Sequence, residues 1–239
     1  MAIEYRIRTH PRARHVRLRI ARDGSVAVTV PPGFDRCVVE RLVAERHQWI
    51  AEARARMASR RQQLDPALCG RQPKRIVLPA VGERWQVVYG SASGLRVRFE
   101  EDRASLRLLI EARGADPDEQ QLAELLRRWL IERARRHLVP LVGELAELYG
   151  FRPGRISIRT QRSRWGSCSG RGNLSLNARL LLVSEQACRH VLIHELVHLE
   201  HPNHSTAFYR RLAELDPNHK EAIAELKSAW YRMPDWLAG

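Results

Sequence analysis

The sequence predicts an α+β protein with a β-rich N-terminal part, residues 1–113, and a helix-rich C-terminal part, residues 114–239. Three observations carry this. Residues 3–8, 15–20 and 26–30 alternate apolar and polar with the two-residue period of half-buried strands, and strand-like runs return over 76–110. From residue 117 onward, apolar residues recur mostly at the three- and four-residue spacings of helices. Composition changes near residue 113, after a stretch punctuated by Gly82, Gly90 and Gly94.

The elements follow in order. Val16, Leu18 and Ile20 precede Asp23-Gly24, and Val26, Val28 and Val30 follow it, which is a hairpin signal; Pro31-Pro32-Gly33 ends it. Residues 35–63 read as one helix capped by Asp35, with Val38, Val39, Leu42, Val43, Trp49 and Ile50 on one side. Residues 64–75, holding Pro66, Gly70 and Pro73, read as a connection. Strands are expected at 76–78, 85–89, 95–99 and 106–110. Asp116-Pro117 should open a helix to residue 149, which Pro140 would kink or divide. Residues 155–160 and 174–182 read as strands, 185–201 as a helix stopped by Pro202. Ser205 can cap a helix through Leu215, and Asp216-Pro217 opens the last one, to about Tyr231.

Composition excludes several classes. No run of apolar residues is long enough to span a bilayer, and the basic N-terminus has no apolar core of a secretory signal. The four cysteines, at 37, 69, 168 and 188, contain no C-x-x-C, so reduced thiols in a cytoplasmic protein are expected. The net charge of +14 is uneven: residues 1–75 hold 17 basic and 7 acidic groups, whereas 76–150 hold 11 and 12. Such an excess attracts polyanions, so nucleic acid or nucleotide is a possible partner.

The segment that carries chemistry is His194-Glu195-Leu196-Val197-His198. Two histidines four apart lie on one helical face, where both rings can reach one Zn²⁺. Glu195 would sit beside the open coordination position, where it can take a proton from water and pass it to a leaving group. A hydrolytic zinc takes a third protein ligand, for which His190, His201 and His204 are candidates. His190 and His201 share the face of the pair, and a straight row cannot wrap a tetrahedral ion. Pro202-Asn203 supplies a turn before His204, and the resulting spacing equals that of the metzincin signature, with His201 in place of its glycine. Arg159, Arg162 and Arg164, with Trp165, form the densest basic and aromatic cluster near the motif. It could bind a substrate carboxylate, a phosphate or a nucleic-acid backbone, or be solvated around a core Trp. Tyr209 is a candidate for contact with substrate or oxyanion.

A wider resemblance covers most of the chain. Arg164-Trp165-Gly166-Ser167-Cys168, the run Asn173 to Asn177, His194–His198, and Asn203-His204-Ser205 with Phe208-Tyr209 resemble the YgjP-like metallopeptidase family, also described as SprT-like and placed among the zincins. The N-terminal Arg-rich strands, Asp23-Gly24, Val30-Pro31 and Trp49-Ile50 extend the resemblance. It implies a zincin-like catalytic domain over 114–239 and one zinc per chain held by His194, His198 and His204. It further implies Glu195 as general base and a peptide or protein substrate, with Ile156–Arg159 as an edge strand pairing with that substrate. Tyr209 stands where many relatives have Trp, and no convincing Met-turn is present. Two other functions remain open at this point: a metal-dependent nucleotide pyrophosphatase using the same site, and a basic DNA-binding protein with a structural metal.

Overall fold

The structure, a computed structural model, describes residues 3–20, 24–62, 70–91, 98–112, 118–217 and 219–237. The chain divides into two compact units, residues 1–65 and 66–239.

The first unit is a three-stranded sheet with two helices. Its strands are β1 (Tyr5–Thr9), β2 (Arg17–Ile20) and β3 (Val26–Val30), in the order β1-β3-β2. β2 and β3 pair antiparallel, Leu18 opposite Val28 and Ile20 opposite Val26, as the hairpin signal predicts. Asp23 itself lies outside the described residues. β1 joins the other side of β3 in parallel, a non-local pairing that no local signal announces. Val26, Val28 and Val30 point inward against Val39, Val43 and Ile50.

The expected helix over 35–63 is two: α1 (Arg36–Glu45), capped by the Asp35 carboxylate, and α2 (His47–Gln62), separated at Arg46. Val38 and Trp49 are exposed rather than packed on the sheet. At about 100° per residue, Val39 and Val43 of α1 fall about 40° apart with Val38 a further quarter-turn away, and within α2 Trp49 lies about 100° from the buried Ile50.

In the second unit, β4 (Arg75–Leu78), β5 (Glu83–Ser91), β6 (Arg98–Asp102) and β7 (Arg107–Ala112) form a sheet of order β4-β5-β7-β6. Its inward side chains join one core with α3 (Glu119–Tyr149) and everything after it. Trp85 meets Trp129 of α3 edge to face, with ring centres 5.5 Å apart. The expected boundary near residue 113 therefore falls inside this unit: the sheet's apolar face has no core of its own and is covered by α3. Asp116 and Pro117 lie outside the described residues, and the cap observed is Asp118. α3 runs unbroken through Pro140 to a left-handed Gly150.

A second small sheet precedes the site. β8 (Ile156–Arg159) runs parallel to β10 (Leu174–Asn177), and β9 (Gly166–Cys168) antiparallel to it, in the order β8-β10-β9. The strand expected over 174–182 stops at Asn177, whose side chain caps a short 3-10 helix, Ala178–Leu182. α4 (Glu185–Val197), α5 (Thr206–Leu215) and α6 (His219–Ala229) follow. α4 ends four residues earlier than expected. There the chain tightens so that the N–H of Leu199 reaches Leu196 and those of Glu200 and His201 reach Val197. No helix among the described residues is long and apolar enough to cross a membrane.

Pro140 lacks the N–H that an interior helical position donates, and it is exposed. Pro140→Ala should therefore raise stability by about 1–3 kcal/mol in urea unfolding. A loss of stability would instead mean that core packing depends on a bend at this position.

Candidate functional site

Three elements build the site. Ser184 caps α4 by accepting from the Ala187 N–H, and the helix carries His194 and Glu195 in its last turn, with His198 at its C-cap. Pro202 cannot continue the helix, so the chain reverses through residues 201–204. Ser205 then caps α5 by accepting from the Phe208 N–H. The reversal brings His204 back over α4.

His194, His198 and His204 converge, with one ring nitrogen from each lying within 4.8 Å of the others. Nε2 of His204 is 3.1 Å from Nε2 of His194. Two lone pairs at that separation repel unless a proton or a cation lies between them. Nδ1 of His198 donates to the His201 carbonyl at 3.0 Å, which leaves its Nε2 as the free lone pair. Burial, then the neighbouring rings of His198, His204 and His190, push His194 down to about 3. Burial also lowers His198. Both rings are thereby held neutral, the state a metal ligand needs. This donor set fits a divalent transition metal. Phe208, buried, packs its ring within 4.6–4.9 Å of all three imidazoles and forms the apolar floor under them. His201 contributes its carbonyl to His198, and its ring is not part of the convergence.

Glu195 is buried between α4 and β9. A Cβ on Gly166 would lie 2.6 Å from its Oε1, so only glycine admits the carboxylate at this spot. The Cys168 backbone N–H donates to the carboxylate, and the Arg164 charge acts on it. Its Oε2 is buried with no hydrogen-bond partner among the described residues. Desolvation outweighs both favourable contacts and pushes Glu195 up to about 7.

The other expected residues separate into two groups. Tyr209 is exposed and stacks beside His204, with centres 6.1 Å apart. The exposed Arg164 acts on Glu195 through its charge, and Trp165 lies on Trp230 at 4.3 Å. Arg159 and Arg162 are exposed on β8 and the turn after it, and no contact joins either to the histidines among the described residues. The strand bordering Glu195 is β9, whereas β8 packs against α3 on the far side of β10. Asn177 donates to the carbonyls of Gln161 and Arg164 at 2.8 Å and so fixes the loop that presents Arg164. His190, one turn before His194, bonds Asp216 through Nδ1 at 2.6 Å, tying α4 to the end of α5. His219 bonds the Asp216 carbonyl.

Sequence reasoning missed the separate roles of Gly166 and Phe208. The signal for Phe208 was available: it lies three residues after the Ser205 cap and, with Leu212, marks the buried stripe of α5.

The raised Glu195 predicts a pH-dependent stability. Without metal, the folded chain holds a proton here from about pH 4.5 to about 7, where the unfolded chain has released it. This contribution is intact below 4.5, is lost as pH rises through 7, and amounts to about 3 kcal/mol. In metal-free protein, Glu195→Gln should therefore stabilise against wild type at pH 8.5 and much less at pH 5. An equal difference at both values, by urea unfolding, would contradict a carboxylate whose burial outweighs its polar contacts.

Among solved structures, the metallopeptidase zymogen abylysin of Pyrococcus abyssi is 25% identical over 40% of this chain and 95% of its own, with a TM-score of 0.35. The metallopeptidase zymogen jannalysin of Methanocaldococcus jannaschii is 20% identical over 38% of this chain and 93% of its own, with a TM-score of 0.34. No curated protein matches significantly. The model of the YgjP-like metallopeptidase domain matches residues 14–229, nearly the whole chain. The chain belongs to the YgjP-like metallopeptidase family, and is a metal-dependent hydrolase of that family.

Proposed function

We propose that the chain is a zinc peptidase whose working residues are His194, His198, His204 and Glu195. The observation that carries this reading is the convergence of three imidazoles, with His194 and His198 held neutral, beside a buried carboxylate whose Oε2 has no hydrogen-bond partner among the described residues. An all-imidazole set suits zinc above the oxygen-preferring Mg²⁺ and Ca²⁺. When bound, the ion supplies Lewis acidity that polarises the substrate carbonyl and acidifies water. The chain's own part follows from Glu195. Its carboxylate accepts the proton of the attacking water and delivers it to the amide nitrogen as the C–N bond breaks. A carboxyl raised toward 7 can do both near neutral pH. Gly166 and Cys168 of β9 hold the carboxylate in one place and cover it from solvent. Beside His204, exposed Tyr209 offers a hydroxyl to the substrate, and Arg164 offers positive charge where negative charge develops. Trp165 holds the loop that carries Arg164 by its stacking on Trp230.

Two measurements test this. Metal content by mass spectrometry should be one zinc per chain in wild type and in His201→Ala, and close to none in His204→Ala. Zinc kept in His204→Ala and lost in His201→Ala would refute the ligand set. Glu195→Gln should keep its zinc and lose hydrolysis of a quenched peptide library by about 10²–10⁴-fold. Unchanged turnover would remove Glu195 from the proton transfer.

A further inference from the structure

The N-terminal sheet has a second face that the core does not use. Side chains alternate across a strand, so the inward set of Ile7, Leu18, Ile20, Val26 and Val28 fixes what points outward. On β1 these are Arg6 and Arg8, and on β2 they are Arg17 and Arg19, all exposed. On β3, between them, they are Ala27 and Thr29. Register makes the pattern regular. Arg6 and Arg19 both lie opposite Ala27, and Arg8 and Arg17 both lie opposite Thr29. Two strand spacings place the rows about 9–10 Å apart, and two residues along a strand span about 6.7 Å.

Four guanidinium groups thus border a floor of two short side chains. None of the four is in an ion pair among the described residues, and the one acid in 3–20, Glu4, precedes β1. Charge on edge strands also deters edge-to-edge pairing, but a carboxylate would serve that purpose as well. Four like charges on one small face repel one another, and a polyanion relieves that repulsion.

We infer that this face docks on the phosphate backbone of duplex DNA. Charge and shape select that occupant. The outward side chains include no aromatic on which an unpaired base could stack, so a single strand gains nothing beyond its phosphates. They include no large apolar group to insert into a bilayer. A duplex presents phosphates outward at about one charge per 1.7 Å of axis, dense enough to engage four guanidiniums within this rectangle. With no group aimed at base edges, binding is independent of sequence. The inference uses the first unit alone and holds whatever the second unit cleaves.

The test is fluorescence anisotropy of full-length protein with a short mixed-sequence DNA duplex, titrated between about 50 and 200 mM NaCl. Four phosphates neutralised by this face contribute about −3.6 to the slope of log affinity against log salt. Arg6→Ser with Arg8→Ser, and separately Arg17→Ser with Arg19→Ser, should each flatten the slope by about 1.8 and weaken binding. The corresponding Arg→Lys pairs should keep both slope and affinity near wild type. A charge-matched control, Arg84→Ser with Arg152→Ser from the second unit, should leave the slope in place. The inference is overturned if wild type does not bind the duplex, if the face variants bind as wild type, if the control loses as much, or if a single strand of equal length binds more tightly.

Discussion

A carboxylate held out of water against a backbone that lacks a Cβ is the constraint around which the second unit is arranged. Glu195 lies beneath β9, and Gly166 leaves the space that its Oε1 occupies. That placement needs three things at once. α4 must end just past it, with His198 at the C-cap, so that His194 and His198 frame the carboxylate. β9 must be the exposed edge of its sheet. The loop of residues 161–164 must be tied down so that the Arg164 charge acts on Glu195. Asn177 meets the last requirement with two hydrogen bonds to that loop's carbonyls, from a side chain that is itself fully buried.

The rest of the second unit holds this arrangement rigid. The four-stranded sheet, the long helix α3 and the elements after it share one apolar core, so the site rests on packed elements and not on a flexible lobe. Polar contacts then set the angles. His190 with Asp216 joins α4 to the end of α5, the helix whose Phe208 lies under the three imidazoles. Glu225 of α6 accepts from both the backbone and the hydroxyl of Ser184 and so anchors the start of α4. Arg179, buried, donates to the Leu237 carbonyl and fixes the C-terminal segment.

Much of this was legible in the sequence because it is local. The four-residue spacing of His194 and His198, the proline that forces a turn before His204, and the Ser205 cap of α5 are all read within a few positions. The hairpin of β2 and β3 is equally local. What was not legible is non-local. Nothing near Tyr5–Thr9 states that β1 pairs in parallel with β3, and nothing in 76–112 states that this sheet's apolar face belongs to α3. That pairing moves the division of the chain from the composition change near 113 to residue 65. The role of Gly166 was hidden for the same reason: a glycine in a W-G-S-C run reads as a turn until α4 is seen to lie against it. Alternation in 155–160 identified β8 as a strand, but which edge of the sheet borders Glu195 is decided by the order β8-β10-β9.

The most direct measurement is anomalous diffraction at the zinc edge from crystals of the full chain grown with zinc. The account predicts one strong peak bounded by nitrogens of His194, His198 and His204, with Glu195 close by but not coordinating. A peak ligated by Glu195, Cys168 or the His201 ring, or one found away from α4, would contradict it.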